Sequence, residues 1–582
     1  MDWILKQQDE KRVEKYTNEL KIPKLLATVI LNRNMTIRTA YDVLYNSENI
    51  IANPLLLPGI QQAAKLFIQC VYYEKRPVEI FADYDCDGLT AGFILKTFCE
   101  CWPNCSVNLY YPEREEGYGL SLEYAEHLIE KYNGQEKKPF VITVDNGISQ
   151  IDEINLLVAS NFPVLVTDHH LPQREGTMLT LPNCLIFDPH VYLDSQIGKN
   201  LCGAAVIWNL CRYIEQLCHE EKETPITDYC LYAAALGTIS DMMTLDTYNM
   251  ALINAGLKIM NSEYAPPNIK LFKQFYCNGP YTYKEIAFSL APMLNACGRM
   301  GNTKAGAAFF FEDDEEKLLD ILHTMDVYND MRKNETNMAL KEIQEETIKQ
   351  HHVCFHVASD KTPRGLYGLI ASKLLNQYGK PTFVVGEEDP GVLNGSCRSN
   401  TIPLPMLLQD AKENGLILSF GGHKAAGGIA LPTQNVDDFI RYLDEKMLIF
   451  ENDPAYEMYF RPGTLSLDAE LQLEDITGET QETLDMLPYA RNSFKQPIFI
   501  FKNLDVVSIR HSKNNEENVQ ISVADDNSYT KSFWLWNRFS QYADILESDK
   551  PIDIAATLTY NFQRKGDTTL DIIDIRQSEE IA

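Results

Sequence analysis

Val78-Glu-Ile-Phe-Ala-Asp83-Tyr84-Asp85-Cys86-Asp87-Gly88-Leu89-Thr90-Ala91 is the stretch on which the reading of this chain turns. An apolar run able to form a buried strand ends in three carboxylates on alternate residues, and a glycine then leads into an apolar segment of helical character. Three acids so close together repel one another. Burying unpaired carboxylates is costly, so a folded protein usually neutralises such a cluster with a cation. A solvated acidic turn is the bland alternative, and the segments further along decide between the two.

Short β-branched runs follow, separated by longer amphipathic stretches: Val107 to Tyr110, Phe140 to Val144, Val164 to Val166 and Leu185 to Phe187. With Val78 to Phe81 they predict a parallel sheet with helices on both faces, and groups for chemistry collect at the carboxyl ends of such strands. Phe140 to Val144 ends in Asp145-Asn146-Gly147, and Val164 to Val166 ends in Thr167-Asp168-His169-His170. An apolar helix-like run, Leu231 to Ile239, ends in Ser240-Asp241. Four segments thus carry acids and a histidine pair toward one sheet edge. A two-metal site needs a bridging carboxylate, terminal carboxylates and often one imidazole. Asp85, Asp87, Asp145, His169 and Asp241 supply that set, with Asp145 the natural bridge. An imidazole among oxygen ligands favours Mn²⁺, with Mg²⁺ able to serve. A second histidine pair, His351-His352, has no adjacent Asp in sequence and reads as structural.

The chain has 582 residues, 45% hydrophobic and 23% charged, enough for three or four domains. A formal net charge of −30 excludes a surface that is basic all over, but not a nucleic-acid substrate held by metal and a few Arg residues. No apolar stretch has the length of a membrane span, and the start has no signal-peptide character; the expectation is a cytoplasmic monomer without membrane contact. The 14 cysteines read as free thiols, and Cys99, Cys101 and Cys105 lack a fourth zinc ligand. Residues 1–75 are expected to be helical and to pack on an α/β domain at 76–311. A connecting helix at 312–350 and a second α/β domain at 351–463 follow, with glycine-rich turns at Gly395 and at 421–428. Residues 464–582 carry about five short strands, which suit an OB-like barrel.

These motifs resemble those of the DHH phosphoesterase superfamily, and within it the RecJ-like exonucleases. The resemblance rests on Asp83-Tyr-Asp85-Cys-Asp87-Gly88, Val144-Asp145-Asn146-Gly147, Asp168-His169-His170 and Gly237-Thr-Ile-Ser-Asp241. It extends through Tyr111-Pro-Glu-Arg114-Glu-Glu-Gly117-Tyr118-Gly119, Leu290-Ala-Pro-Met-Leu-Asn295-Ala-Cys-Gly298-Arg299-Met-Gly301, Gly395-Ser396-Cys-Arg398-Ser399 and Gly421-Gly-His423. It implies a DHH domain, a DHH-associated domain and an OB-like barrel. It adds Asp83 to the metal shell and places His170 against the scissile phosphate. Arg114, Asn295, Arg299, Ser396, Arg398 and His423 become substrate-binding residues. The implied activity is 5′→3′ degradation of single-stranded DNA to 5′ mononucleotides in repair and recombination, with two divalent ions. A single-strand-binding protein and a helicase are implied partners. Met293, Ile239-Ser240 and the glycine-poor stretch 487–497 depart from the family pattern. The alternatives are a small-substrate phosphoesterase, acting on oligoribonucleotides or nucleotides, and a non-catalytic replication or repair scaffold.

Overall fold

In the computed structural model the residues described are 2–175, 178–218, 225–277, 279–343, 345–460, 463–489, 493–513, 515–560 and 568–578; residues 490–492 of the glycine-poor stretch lie outside them. The chain divides into two compact units. The larger comprises residues 3–295, 303–323 and 465–582, and the smaller is built mainly from 296–302 and 324–464.

At the centre of the larger unit is a five-stranded sheet in the order Val107–Tyr110, Val78–Ala82, Phe140–Val144, Val164–Thr167, Leu185–Phe187. Every pairing is parallel. Val78–Ala82 and Phe140–Val144 are buried at all five positions, which is why they read as continuous apolar runs rather than alternating ones. The chain leaves Val78–Ala82 for one edge and then returns to add Phe140–Val144 on its other side. The order therefore reverses between these two strands, where the sheet opens a crevice at its carboxyl edge. Helices Cys86–Glu100, Gly203–Leu217 and Ile226–Ser240 pack on one another, and the first is apolar around most of its circumference because it is buried.

A barrel closes the larger unit. Its strands run Phe499–Ser512, Asn515–Ala524, Thr530–Leu535, Thr568–Gln577 and Ile552–Tyr560, and the last pairs back with the first. The first of these, Phe499–Ser512, is much longer than the short strands expected. Beyond Leu504 it is mostly exposed and polar, so it lacks the apolar signal that marks its start.

The smaller unit has a mixed sheet in the order Ser419–Gly422, Ala426–Pro432, Val392–Arg398, Thr382–Asp389, Cys354–Val357. The expected turn at Gly395 is instead mid-strand, opposite Val385, where neighbouring backbone leaves no room for a Cβ. The 421–428 stretch forms a hairpin with strand on both sides. His351 and His352 are tied to Asp444 of helix Val436–Asn452, which gives the pair a structural role. Helix Glu315–Lys341 carries the chain from one unit into the other. None of the 14 cysteines is in a disulfide. No cysteine belongs to a metal-binding group among the described residues.

Asp468 fastens the N-terminal segment to the approach to the barrel. Its buried carboxylate takes a forked hydrogen bond from Arg33, and others from Lys6 Nζ, Asn32 Nδ2 and the Ile498 N–H. Strand Trp3–Leu5 pairs in parallel with Leu465–Leu467 beside it. Burial would raise the Asp468 pKa, but Arg33 and then Lys6 outweigh it and hold the carboxyl below its usual range. Asp468→Ala leaves a largely buried guanidinium unpaired and should cost about 3–5 kcal/mol, measured by denaturant unfolding. A depressed folded pKa gives stability that is present above the unfolded pKa and lost as pH falls through the folded one. The gap between wild type and variant should therefore narrow on acidification.

Candidate metal centre

The carboxyl ends of the strands deliver the acids. Asp83 follows Val78–Ala82 directly, and Asp85 caps helix Cys86–Glu100, its Oδ1 accepting from the N–H groups of Asp87 (2.9 Å) and Gly88 (3.1 Å). Asp87 reaches the start of helix Gly203–Leu217 and accepts from the N–H groups of Gly203 (2.7 Å) and Ala204 (3.0 Å), where the helix dipole favours negative charge. Asp145, one residue beyond Phe140–Val144, has a left-handed backbone with φ 61°. Two glycines let helices come close to these acids. A Cβ on Gly203 would collide with the Asp145 side chain, and one on Gly237 with Asp87 Oδ1.

Val164–Thr167 leads into the histidine pair. Asp168 is saturated with donors: the N–H groups of Ile148, His169 and His170, and His170 Nδ1 at 2.8 Å. Burial would raise its pKa, but the charge of His170 and its hydrogen bond prevail and hold it at about 2. Asp168 therefore clamps the turn and has little capacity left for an ion. His169 is pushed down to about 3 by burial and then by His170, so it is a neutral imidazole near neutral pH. The Leu201 backbone opposes that fall without reversing it. His170 behaves in the opposite way. Burial would lower its pKa, but Asp168, then Asp241 and Asp83, raise it to about 10.

His169 Nε2 lies 3.1 Å from Asp145 Oδ1 and 3.8 Å from both Asp87 Oδ2 and Asp241 Oδ2. Asp83, Asp85 and Asp145 form one group whose oxygens lie within 4.8 Å of one another; Asp87, His169 and Asp241 form a second, and Asp145 also groups with the two histidines. Seven expected residues, Asp83, Asp85, Asp87, Asp145, His169, His170 and Asp241, thus meet at one place. Burial, followed by mutual repulsion, pushes Asp83, Asp145 and Asp241 well above the usual carboxylate range and Asp87 to about 6. Asp83 Oδ1 and Asp145 Oδ1 are buried without a hydrogen-bond donor, and the 3.1 Å approach of His169 is not aligned as one. Hard oxygens without donors, beside a neutral imidazole, are a donor set that fits divalent cations.

The remaining expected residues fall into two places. Arg114 stacks over Tyr84, 4.7 Å from the ring centroid, and its charge is felt by Asp83. Asn295 faces inward: its Oδ1 accepts from the Cys86 N–H (2.9 Å), and its Nδ2 donates to Ser240 Oγ (3.2 Å). It thereby braces the turn between Asp85 and Asp87 against the residue preceding Asp241. In the smaller unit, Arg299 Nη1 donates to the Gly365 carbonyl (2.9 Å), and Ser396 and Arg398 lie against Gly368. Arg398 is half-buried with its pKa lowered by that burial, and among the described residues no carboxylate pairs with it. His423 is exposed at the hairpin turn between Ser419–Gly422 and Ala426–Pro432. Sequence reasoning missed the part played by the backbone of Gly203 and Ala204, which no side chain announces. It also missed the Tyr118 hydroxyl, 3.1 Å from His170 Nδ1.

A parallel sheet that gathers carboxylates and a histidine pair at its switch point is a centre suited to divalent metal ions. Family models agree along the chain: the DHH family N-terminal domain matches residues 77–238, the DHHA1 domain 350–448 and the RecJ OB domain 467–574. The chain is 28% identical over 483 residues to the single-stranded-DNA-specific exonuclease RecJ of Haemophilus influenzae, covering 79% of this chain and 81% of that protein. It is 26% identical over 539 residues to the Bacillus subtilis RecJ, covering 91% of this chain and 65% of that one. The fold matches the crystal structure of Thermus thermophilus RecJ in complex with Mn²⁺ with a TM-score of 0.76 at 21% identity, covering 99% of this chain and 80% of that one. Along its length the chain thus carries a DHH domain, a DHHA1 domain and a RecJ OB domain, in that order.

Carboxylates whose folded pKa is raised contribute stability at low pH that is lost as pH rises through the folded value. The metal-free protein should therefore lose stability as pH rises through about 6, the value for Asp87. Asp145→Asn removes one of the repelling charges. It should melt a few degrees higher than wild type without metal and gain little from added Mn²⁺, whereas wild type gains a clear upward shift; differential scanning calorimetry with and without chelator tests both. Asn295→Ala should fold and bind Mn²⁺ about tenfold more weakly, the scale of losing a group that supports metal ligands, as read by calorimetric titration.

Proposed function

We propose that this chain is a metal-dependent exonuclease that degrades single-stranded DNA from the 5′ end to 5′ mononucleotides. The observation that carries the reading is the meeting of Asp83, Asp85, Asp87, Asp145, His169 and Asp241, with orphaned buried oxygens, at the switch point of the sheet. Asp85, Asp87, Asp145, His169 and Asp241 would hold two divalent ions, with Asp145 shared and Asp83 in or just behind the shell. Bound there, such ions supply an activated water and neutralise charge on the attacked phosphate and the leaving 3′ oxygen.

The chain's own residues do the rest. His170, kept charged by Asp168, presents an N–H to a phosphate oxygen. The short cap of Asp85 and the two backbone donors to Asp87 fix those carboxylates before substrate arrives, so little reorganisation is needed in the reaction. Arg398, half-buried without a carboxylate partner among the described residues, suits a terminal phosphate together with Ser396 and Arg299. Recognition of that group sets the register of cleavage from a free 5′ end.

Every expected metal-ligand position is filled, which argues against a scaffold that has lost its chemistry. The barrel argues against an enzyme limited to dinucleotides. RecJ proteins that resemble this chain are single-stranded-DNA-specific exonucleases by name, and RecJ structures hold Mn²⁺ or Mg²⁺. A strand-degrading monomer of this kind would work in the cytoplasm, where a helicase and a single-strand-binding protein control its substrate. Among the described residues no helix is long and apolar enough to cross a membrane.

The test is digestion of single strands labelled at either end, with Mn²⁺, Mg²⁺ or chelator. Prompt metal-dependent release of the 5′ label as a mononucleotide is expected; release starting at the 3′ end, or none with either metal, contradicts the reading. Arg398→Ala should lower activity on 5′-phosphorylated strands by about tenfold to a hundredfold, the scale of a hydrogen bond to a charged group. It should barely change activity on 5′-hydroxyl strands.

A further inference from the structure

Cys99, Cys101 and Cys105 lie where helix Cys86–Glu100 turns back toward Val107–Tyr110, the edge strand of the central sheet. Two tight turns fold the link. The Trp102 N–H donates to the Cys99 carbonyl (3.0 Å), and the Cys105 N–H donates to the Trp102 carbonyl (3.2 Å). Pro103 and Asn104 make the second turn, with Asn104 left-handed at φ 61°. Cys105 is thereby brought back to Cys99, whose S–H donates to the Cys105 sulfur. Cys99 is buried and Cys105 half-exposed. Cys101 is exposed, but its Sγ turns back along the helix and donates to the Thr97 carbonyl (3.4 Å).

The two facing thiols differ in reactivity. The hydrogen bond from Cys99 holds Cys105 below the usual thiol range, against burial and the charge of Glu100. Burial, and then the same hydrogen bond, push Cys99 well above it. Cys184 and Cys277 are half-exposed like Cys105, yet burial pushes each of them up to about 12. The thiolate is the nucleophile. Cys105 is therefore the accessible sulfur prepared to react, and Cys99 is the neighbour placed to displace whatever Cys105 takes up.

We propose that Cys105 and Cys99 form a dithiol site that reacts with small-molecule disulfides of the glutathione type and closes reversibly to an intramolecular disulfide. The Cys105 thiolate attacks one sulfur of the oxidant. The oxidant's S–S bond breaks, and its other half leaves as a thiol with the proton that Cys105 gave up. The Cys99 sulfur then attacks the Cys105 sulfur, and its proton goes to the second departing thiol. Two cysteine thiols are oxidised and one oxidant disulfide is reduced to two thiols. The new bond ties the end of the helix to the approach to the edge strand. Asp87 stands near the other end of the same helix, about 18 Å away at 1.5 Å per residue. The site is thus remote from the metal centre, and the inference is independent of the nuclease reading.

The test incubates the reduced full-length chain with oxidised glutathione and maps its peptides by mass spectrometry without reduction. Wild type should yield a Cys99–Cys105 linkage that dithiothreitol reverses. Cys99→Ala should stop at glutathione attached to Cys105, and Cys101→Ser should form the linkage as wild type does. In brief iodoacetamide labelling of the reduced wild type, Cys105 should react at least about tenfold faster than Cys184 and Cys277. Glutathione attached only to exposed thiols such as Cys101 and Cys218, with no Cys99–Cys105 linkage, overturns the proposal. Labelling of Cys105 no faster than that of Cys184 and Cys277 overturns it too, and both of these results come from wild type, whether or not the variants fold.

Discussion

Repulsion among the carboxylates of Asp83, Asp85, Asp87, Asp145 and Asp241 is the constraint on which the centre of this protein depends. The fold concentrates them instead of separating them, and it can do so because each is met by something fixed. Asp87 is met by the start of a helix, Asp85 by the turn it caps, and the whole group by His170, which Asp168 keeps charged. What remains unmet, at Asp83 Oδ1 and Asp145 Oδ1, is capacity for cations. The raised carboxyl pKa values and the capacity for divalent ions thus have the same origin. Burial and proximity make charge expensive until metal balances it.

Most of this was legible in the sequence. Strands buried on both faces have a continuous apolar signal, so Val78–Ala82 and Phe140–Val144 could be placed and their acidic ends set at one edge. The histidine pairs were separable for a similar reason: His169 and His170 end a buried strand beside Asp168, whereas His351 and His352 find their carboxylate, Asp444, only through tertiary packing. Backbone and long-range partners left no such trace. The N–H groups of Gly203 and Ala204 have no side chain to announce them, and Asn295 shows itself as a brace only when Cys86 and Ser240 are seen beside it. Gly395 read as a turn because glycine usually marks one, but here it is needed for close packing between adjacent strands.

The contrast between the two histidines shows how neighbours assign chemistry to identical side chains. His169 is kept neutral, available as an imidazole ligand; His170, one residue on, is kept cationic and turned toward Asp168. Swapping their surroundings would swap their roles, because burial on one side and neighbouring carboxylates, Asp168 first, on the other are enough to separate them. The saturation of Asp168 by four donors makes that assignment rigid.

The account stands most directly on the number of ions this cluster holds. Electron paramagnetic resonance of the metal-free chain titrated with Mn²⁺, with proton release followed in parallel, counts them. Two bound ions per chain, magnetically coupled through the shared Asp145 and accompanied by released protons, is the predicted result. A single uncoupled ion, or two bound without proton release near pH 6, would contradict the account.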